Sequence, residues 1–160
     1  MKVSIYEVGP RDGLQSLEHP VDTKTKLQLI DALYKAGLTD IEETSFAHPR
    51  LVPQMADAED VYQQGSVLVM NKRGYDRAMS VGADKINIVF SPCDTFNIKN
   101  MGKTRSEIAL MYKSFMKIPK EKVRVYISMA FGSPYSGQVS PLTMQSCIKD
   151  AKMFGNTVVF

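Results

Sequence analysis

Lys2-Val3-Ser4-Ile5-Tyr6-Glu7-Val8, running into Gly9-Pro10-Arg11-Asp12-Gly13-Leu14-Gln15, is the stretch on which the reading of this chain turns. Residues 2–8 are rich in β-branched and aromatic side chains and predict a strand. Gly9, Pro10 and Gly13 break it and leave an Arg–Asp pair at its C-terminal end. Such a pair is usually a surface ion pair of little worth. Flanking glycines, however, let the backbone turn sharply and present both side chains inward. An aspartate so placed can offer a hard oxygen to Mg²⁺ or Mn²⁺. An arginine beside it can neutralise a developing enolate oxygen.

Working outward, one element type follows another. Asp22 and Thr23 open a helix with Leu27, Ile30, Leu33 and Ala36 at helical spacing, stopped by Gly37. Residues 39–45 predict a second strand, 56–64 a short helix, 66–71 a third strand, 73–81 a helix and 84–90 a fourth strand. A loop over 91–103 precedes a helix over 104–117. A fifth strand over 122–130, a helix over 141–154 and a sixth strand over 156–160 complete the pattern. Strands alternating with helices through Gly-bearing turns imply βαβ units and a parallel sheet, in one domain over residues 1–160. Both a doubly wound sheet and an incomplete (β/α)8 barrel satisfy this alternation, since a whole barrel takes about 250 residues.

The polar clusters gather after strand ends. Arg11, Asp12 and Gln15 follow the first strand, and Glu42, Glu43, Thr44 and Ser45 close the second, with His48 just beyond. Asp94, Asn97, Lys99 and Asn100 follow the fourth; Ser128, Ser133, Tyr135 and Ser136 follow the fifth. In either parallel architecture that end carries the active site. Strand alternation sends Glu42 and Thr44 to one side, Ile41 and Glu43 to the other. An inward carboxylate needs a partner, and Arg11 on the adjacent strand end is the nearest candidate for Glu42. Glu43 reads as solvated or facing a helix.

Composition narrows the field. The chain has 160 residues, 44% hydrophobic and 23% charged, with a formal charge of +3. That is ordinary for a globular domain. Basic residues are scattered, with only Lys117, Lys120, Lys122 and Arg124 close together, and no basic stripe is interleaved with aromatics. This argues against a nucleic-acid partner. No apolar run approaches the roughly 20 residues of a membrane span, and no signal-peptide pattern precedes the first strand. Cys93 and Cys147 lack metal-ligand spacing. Together these features set a cytoplasmic default with no membrane partner.

The motifs carry a specific likeness. Residues 9–15 (GPRDGLQ), Ala36-Gly37-Leu38, Ile41-Glu42, Thr44-Ser45-Phe46, residues 52–57 (VPQMAD), residues 126–135 (YISMAFGSPY), Gly137 and Ser140-Pro141 occur in the order of the hydroxymethylglutaryl-CoA lyases. The chain thus resembles that branch of the DRE-TIM metallolyases along essentially its whole length. Related synthases continue the Arg-Asp-Gly run with Glu-Gln, whereas Leu14-Gln15 here is similar to the lyase branch.

The resemblance implies a partial (β/α)8 TIM barrel, its first five to six strands, and cleavage of a 3-hydroxyacyl-CoA to acetyl-CoA and a keto acid. It implies Asp12 as a divalent-metal ligand, Arg11 as the group that stabilises the enolate, and Glu42 as its holder. Gln15, Ser45, Lys99, Asn100 and Arg124 would line the path of the acyl-CoA substrate. A related aldolase or acyl-transferring synthase is the alternative within the family.

The departures shape the remaining expectations. The family's His-x-His pair, its Asn ligand and its catalytic Cys loop are expected beyond residue 160, and neither His19 nor His48 takes their place. Ser133 stands where the lyases often carry Cys. A single carboxylate holds Mg²⁺ weakly, so the chain alone is expected to be inactive. A strand ending at Phe160 leaves an open edge. The expectation is therefore the N-terminal part of a longer enzyme, or a non-catalytic open barrel, that forms a homo-oligomer or associates through its edges.

Overall fold

The computed structural model describes residues 3–160, and their contacts group them into two compact units. The first takes in the described part of Met1–Val69 together with Arg73–Lys85; the second takes in Met70–Lys72 and Ile86–Phe160.

In the first unit the expected opening strand shrinks to a single parallel bridge between Glu7 and Ile41. Glu7 donates its amide to Asp40, and Glu42 donates to Glu7, at 2.9 and 2.8 Å. Lys2 lies outside the described residues. Val3 and Ile5 are 74% and 64% exposed, so the apolar residues that predicted the strand bury little that would fix one. A wide helical turn over Gly9–Gly13 follows, its Arg11 and Asp12 amides both reaching the Val8 carbonyl.

Helix α1, Thr23–Lys35, begins where Asp22 accepts the Thr25 amide, and it ends before Gly37 at φ 94°. Strand β1, Glu42–Ser45, is shorter than expected and consists of four polar residues, all buried. Helix α2, Ala58–Val61, is a single turn after a tighter turn at Pro53–Met55. Strand β2, Ser66–Leu68, runs parallel to β1 with an irregularity between Glu42 and Thr44. Helix α3, Lys72–Ser80, packs so closely that a Cβ on Gly74 would lie 2.4 Å from the Phe46 carbonyl.

In the second unit, β3, Ile86–Phe90, leads into α4, Asp94–Met101, a helix where the sequence predicts a loop. Asp, Thr, Phe and Asn are poor helix formers, and tertiary bonds supply what propensity does not. Asn97 is buried, accepts the Ser91 amide and donates to the Ser91 carbonyl, each at 2.8 Å, and Gly102 closes the helix at φ 67°. Helix α5, Arg105–Phe115, starts on a reciprocal cap between Thr104 and Glu107.

Strand β4, Val123–Ile127, buries alternate residues and stops short of the expected 130, before Met129 at φ 58°. An unpredicted antiparallel hairpin follows, β5 at Gly132–Ser133 and β6 at Gly137–Gln138. Helix α6, Pro141–Phe154, has Ser140 as its cap, and β7, Thr157–Val159, is the last strand. Strands β3, β4 and β7 are parallel neighbours in that order. Ile86, Ile88, Val123 and Val125 of these strands are buried, as are Ile108, Tyr112 and Phe154 of the helices, where Tyr112 meets Phe154 edge to face.

Candidate active site

The first unit brings three of the expected site residues together. The turn at Gly9–Gly13 lifts Arg11 and Asp12 off the end of the opening segment. Arg11 Nη1 donates to Asp12 Oδ1 at 2.5 Å, and Nη2 donates to Glu42 Oε2 at 3.0 Å. Glu42 is fully buried, the Arg11 side chain is 11% exposed, and the Asp12 side chain is 64% exposed. The burial decides the roles. A buried carboxylate facing a buried guanidinium fixes that cation in place, whereas the open carboxylate of Asp12 is presented outward.

Gln15 lies one turn beyond Arg11 and its Oε1 is buried with no hydrogen-bond partner among the described residues. Ser45 is wholly buried, and its hydroxyl oxygen accepts the Ala47 amide at 3.2 Å. Asp12 is the only one of these groups able to meet a hard cation from solvent. Among the described residues no three His, Cys, Asp or Glu side chains gather to hold a metal. These residues therefore fit one arm of a cation site and not a site.

Glu43 is not solvated. It is buried against α1, where it accepts the Tyr34 hydroxyl at 2.6 Å and the amides of Gln63, Gln64 and Gly65 at 2.7, 3.3 and 2.9 Å. Nothing in strand alternation foretold that four donors would converge there. His48 is exposed and accepts the Arg50 amide at 3.2 Å, and His19 is exposed.

The second unit holds the remaining expected residues. Lys99 and Asn100 are exposed on the last turns of α4. Lys99 Nζ stands 4.5 Å from the centre of the Tyr135 ring, and the Asn100 amide donates to the Phe96 carbonyl of its own helix. Arg124 is half-buried on β4, in register with Asn87 and Thr157. Cys93, expected in a loop, is the buried residue that starts α4. Burial alone would push its thiol up, but hydrogen bonds from Ser133 and Ser136 and from the Phe96 and Thr95 amides bring it below its ordinary value. Ser133 Oγ donates to Cys93 Sγ at 3.2 Å. Burial pushes the other thiol, Cys147, up to about 11.

The mitochondrial hydroxymethylglutaryl-CoA lyase of Rattus norvegicus is 38% identical over 165 residues, covering 96% of this chain and 51% of its own length. The cytoplasmic 3-hydroxy-3-methylglutaryl-CoA lyase of Danio rerio is 39% identical over 150 residues, covering 87% and 45%. In structure, the Pseudomonas aeruginosa hydroxymethylglutaryl-CoA lyase superposes with a TM-score of 0.90 at 30% identity, over 98% of this chain and 56% of that one. An Acinetobacter baumannii lyase in complex with coenzyme A and 3-methylmalate gives 0.83 at 27%, over 97% and 54%. The chain thus spans about half the length of these relatives, and its α/β fold matches part of their TIM barrel. The HMGL-like family model covers residues 2–160. With the Arg–Asp turn, the buried glutamate that meets it and the parallel strands all falling within that match, the chain belongs to the HMGL-like family.

Proposed function

We propose that this chain, as one domain, forms the Arg11–Asp12–Glu42 portion of a carbon–carbon lyase acting on a 3-hydroxyacyl-CoA and releasing acetyl-CoA and a keto acid. The observation that carries the proposal is the Arg11–Glu42 pair, a guanidinium fixed by an enclosed carboxylate beside an exposed aspartate. In the cleavage, the bond between C2 and C3 of the acyl group breaks. The 3-hydroxyl loses its proton as its carbon becomes the ketone. The bonding pair moves onto the thioester as an enolate, which then takes a proton to become acetyl-CoA. Arg11 supplies the positive charge beside the enolate oxygen. Glu42 touches Arg11 and keeps its fork oriented, which makes it a positioning residue.

A divalent cation, Mg²⁺ or Mn²⁺, belongs to this reading. When bound it would polarise the oxygens of the reacting group. Asp12 is the residue here that would hold it, and the remaining ligands are proposed to lie outside these 160 residues. Gln15, Lys99, Asn100 and Arg124 are proposed to line the path of the acyl-CoA. Ser45, whose hydroxyl oxygen accepts the Ala47 amide, is proposed to line the same path. Among the described residues no helix is long and apolar enough to cross a membrane. The relatives are named from both mitochondria and cytoplasm; cytoplasm remains the proposal here, with no nucleic acid or membrane as partner.

The test is acetyl-CoA release from 3-hydroxy-3-methylglutaryl-CoA with Mg²⁺ or Mn²⁺, by a polypeptide that contains this chain and spans the full length of its relatives. Turnover is expected and should be lost in Arg11→Gln. An Arg11→Gln enzyme with undiminished turnover would refute the role given to the turn after the opening segment.

A further inference from the structure

Residues 9–17 form one run of helical turns. The Arg11 and Asp12 amides reach the Val8 carbonyl, and Leu14 donates to the Arg11 and Gly9 carbonyls. Ser16 then donates to Gly13, and Leu17 to Leu14. The wide turn that starts the run carries Arg11 and Asp12, a backbone geometry that is rare and frequent at functional sites. Carbonyls in the last turn of a helical run have no partner within it. Gln54 supplies one from outside: its Nε2 donates to the Leu17 carbonyl at 2.7 Å, across 37 residues of sequence.

Gln54 is itself held in place. It lies in the tight turn Pro53–Met55, inside residues 52–57 (VPQMAD), with Met55 buried beside it. Its own carbonyl accepts Lys26 Nζ at 2.6 Å, and the same ammonium donates to Asp57 Oδ1 at 2.6 Å. Thr23, which opens α1, donates its hydroxyl to Asp57 Oδ2 at 2.7 Å. The Lys26 side chain is 4% exposed, and an ammonium stays buried only where acceptors meet it, so these contacts nail the turn to α1. All of these residues belong to the first unit. We propose that Gln54 is a positioning residue, which caps the run at Leu17 and thereby sets where Arg11 and Asp12 stand. The proposal rests on the lyase reading of that pair. It gives residues 52–57 a part in the reaction, exerted through Leu17.

The test uses the polypeptide that spans the full length of the relatives, with two readouts. Gln54→Ala should lower kcat by about ten- to a hundred-fold, since small misplacements of reacting groups are costly, with KM little changed. The melting temperature should stay within about 2 °C of the parent, because one half-buried side chain is lost. Hydrogen exchange followed by mass spectrometry should quicken about two- to tenfold over residues 11–17. Gln54→Glu keeps the shape and loses the donor, so its kcat should fall as well. Protonation turns the new carboxyl into a donor toward the Leu17 carbonyl. The ratio of its kcat to that of the parent should therefore rise as pH falls from about 7 to 5, and stay flat in Gln54→Ala.

Parent-like kcat in Gln54→Ala overturns the proposal, as does unchanged exchange over residues 11–17. A kcat loss that only tracks a fallen melting temperature overturns it too, by showing a role in folding alone. A flat ratio in Gln54→Glu would show that the donor is not what matters, with the same result. A parent polypeptide that cleaves no 3-hydroxyacyl-CoA would instead sink the lyase reading. The hold of Gln54 on the turn would then stand or fall on exchange at the Arg11 and Asp12 amides.

Discussion

Arg11 reaches Glu42 across 31 residues of sequence, donating from Nη2 to Oε2 at 3.0 Å, and the carboxylate it meets is fully enclosed. The same guanidinium touches Asp12, whose carboxylate stands mostly in solvent. One cation thus binds two carboxylates with opposite surroundings, and their substitutions should separate stability from chemistry. Removing one member of a buried pair strands the other, at a cost of about 3–5 kcal/mol. Glu42→Ala is therefore expected to lower unfolding free energy by that order in urea titration. Asp12→Asn, at an exposed position, should stay within about 0.5 kcal/mol of the parent.

On activity, the 160-residue chain alone should release no detectable acetyl-CoA, with or without Mg²⁺ or Mn²⁺. It contributes one exposed carboxylate toward a cation, and one such ligand binds Mg²⁺ weakly. In a polypeptide that also supplies the half of the relatives' length not spanned here, Arg11→Gln should cost about 10²–10³ in kcat. Metal-stimulated acetyl-CoA release by the short chain would contradict the first expectation.

The two thiols should part company. Cys93 is held below its ordinary value by hydroxyl and amide donors that outweigh burial, and Cys147 is raised to about 11 by burial. Iodoacetamide followed by peptide mass analysis should label Cys93 first at neutral pH. Ser133→Ala removes a donor to the thiolate, so the midpoint of the pH–rate profile for Cys93 should move up. An unmoved midpoint would show that the Ser133 contact does not govern that thiol.

Arg77 grips Glu59 with Nε and Nη2 at 2.5 and 2.6 Å, and that hydrogen bonding holds the Glu59 carboxyl below its usual range. A depressed carboxyl contributes stability above its unfolded pKa and loses it as pH falls through the folded one. The melting temperature should therefore fall less steeply on acidification from neutral pH in Glu59→Gln than in the parent. Parallel curves would mean that the pair adds nothing to folding.

The sequence was informative where local chemistry agrees with the final fold. Helix α6 begins after Ser140 with Pro141 and stops before Gly155, and α5 begins at the Thr104–Glu107 cap. The Arg11–Glu42 partnership was legible because a buried carboxylate needs a cation and Arg11, at the neighbouring strand end, was the nearest candidate. Helix α4 was not legible, because its residues favour loops and a distant carboxamide, Asn97 on Ser91, secures it. The opening strand was over-read, since Val3 and Ile5 fit a pleated surface but stay exposed. Of the two readings of Glu43, solvated or facing a helix, the second holds, while its full set of partners stayed hidden because three of the donors are backbone amides of residues 63–65, which no side-chain pattern reveals.

That last convergence has a consequence of its own. Three successive amides and a phenol aimed at one buried carboxylate make a pocket for an anion whose occupant is part of the chain, and Gly65 allows the approach because a Cβ there would lie 2.8 Å from Glu43 Cγ. In Glu43→Ala the donors would remain while the occupant is gone, leaving an empty receptor for a small carboxylate. Formate or acetate in the buffer should then bind where the side chain was and raise the melting temperature of the variant, while leaving the parent unmoved. Seen this way, the β1–β2 corner of the fold is a protein bound to its own tethered ligand.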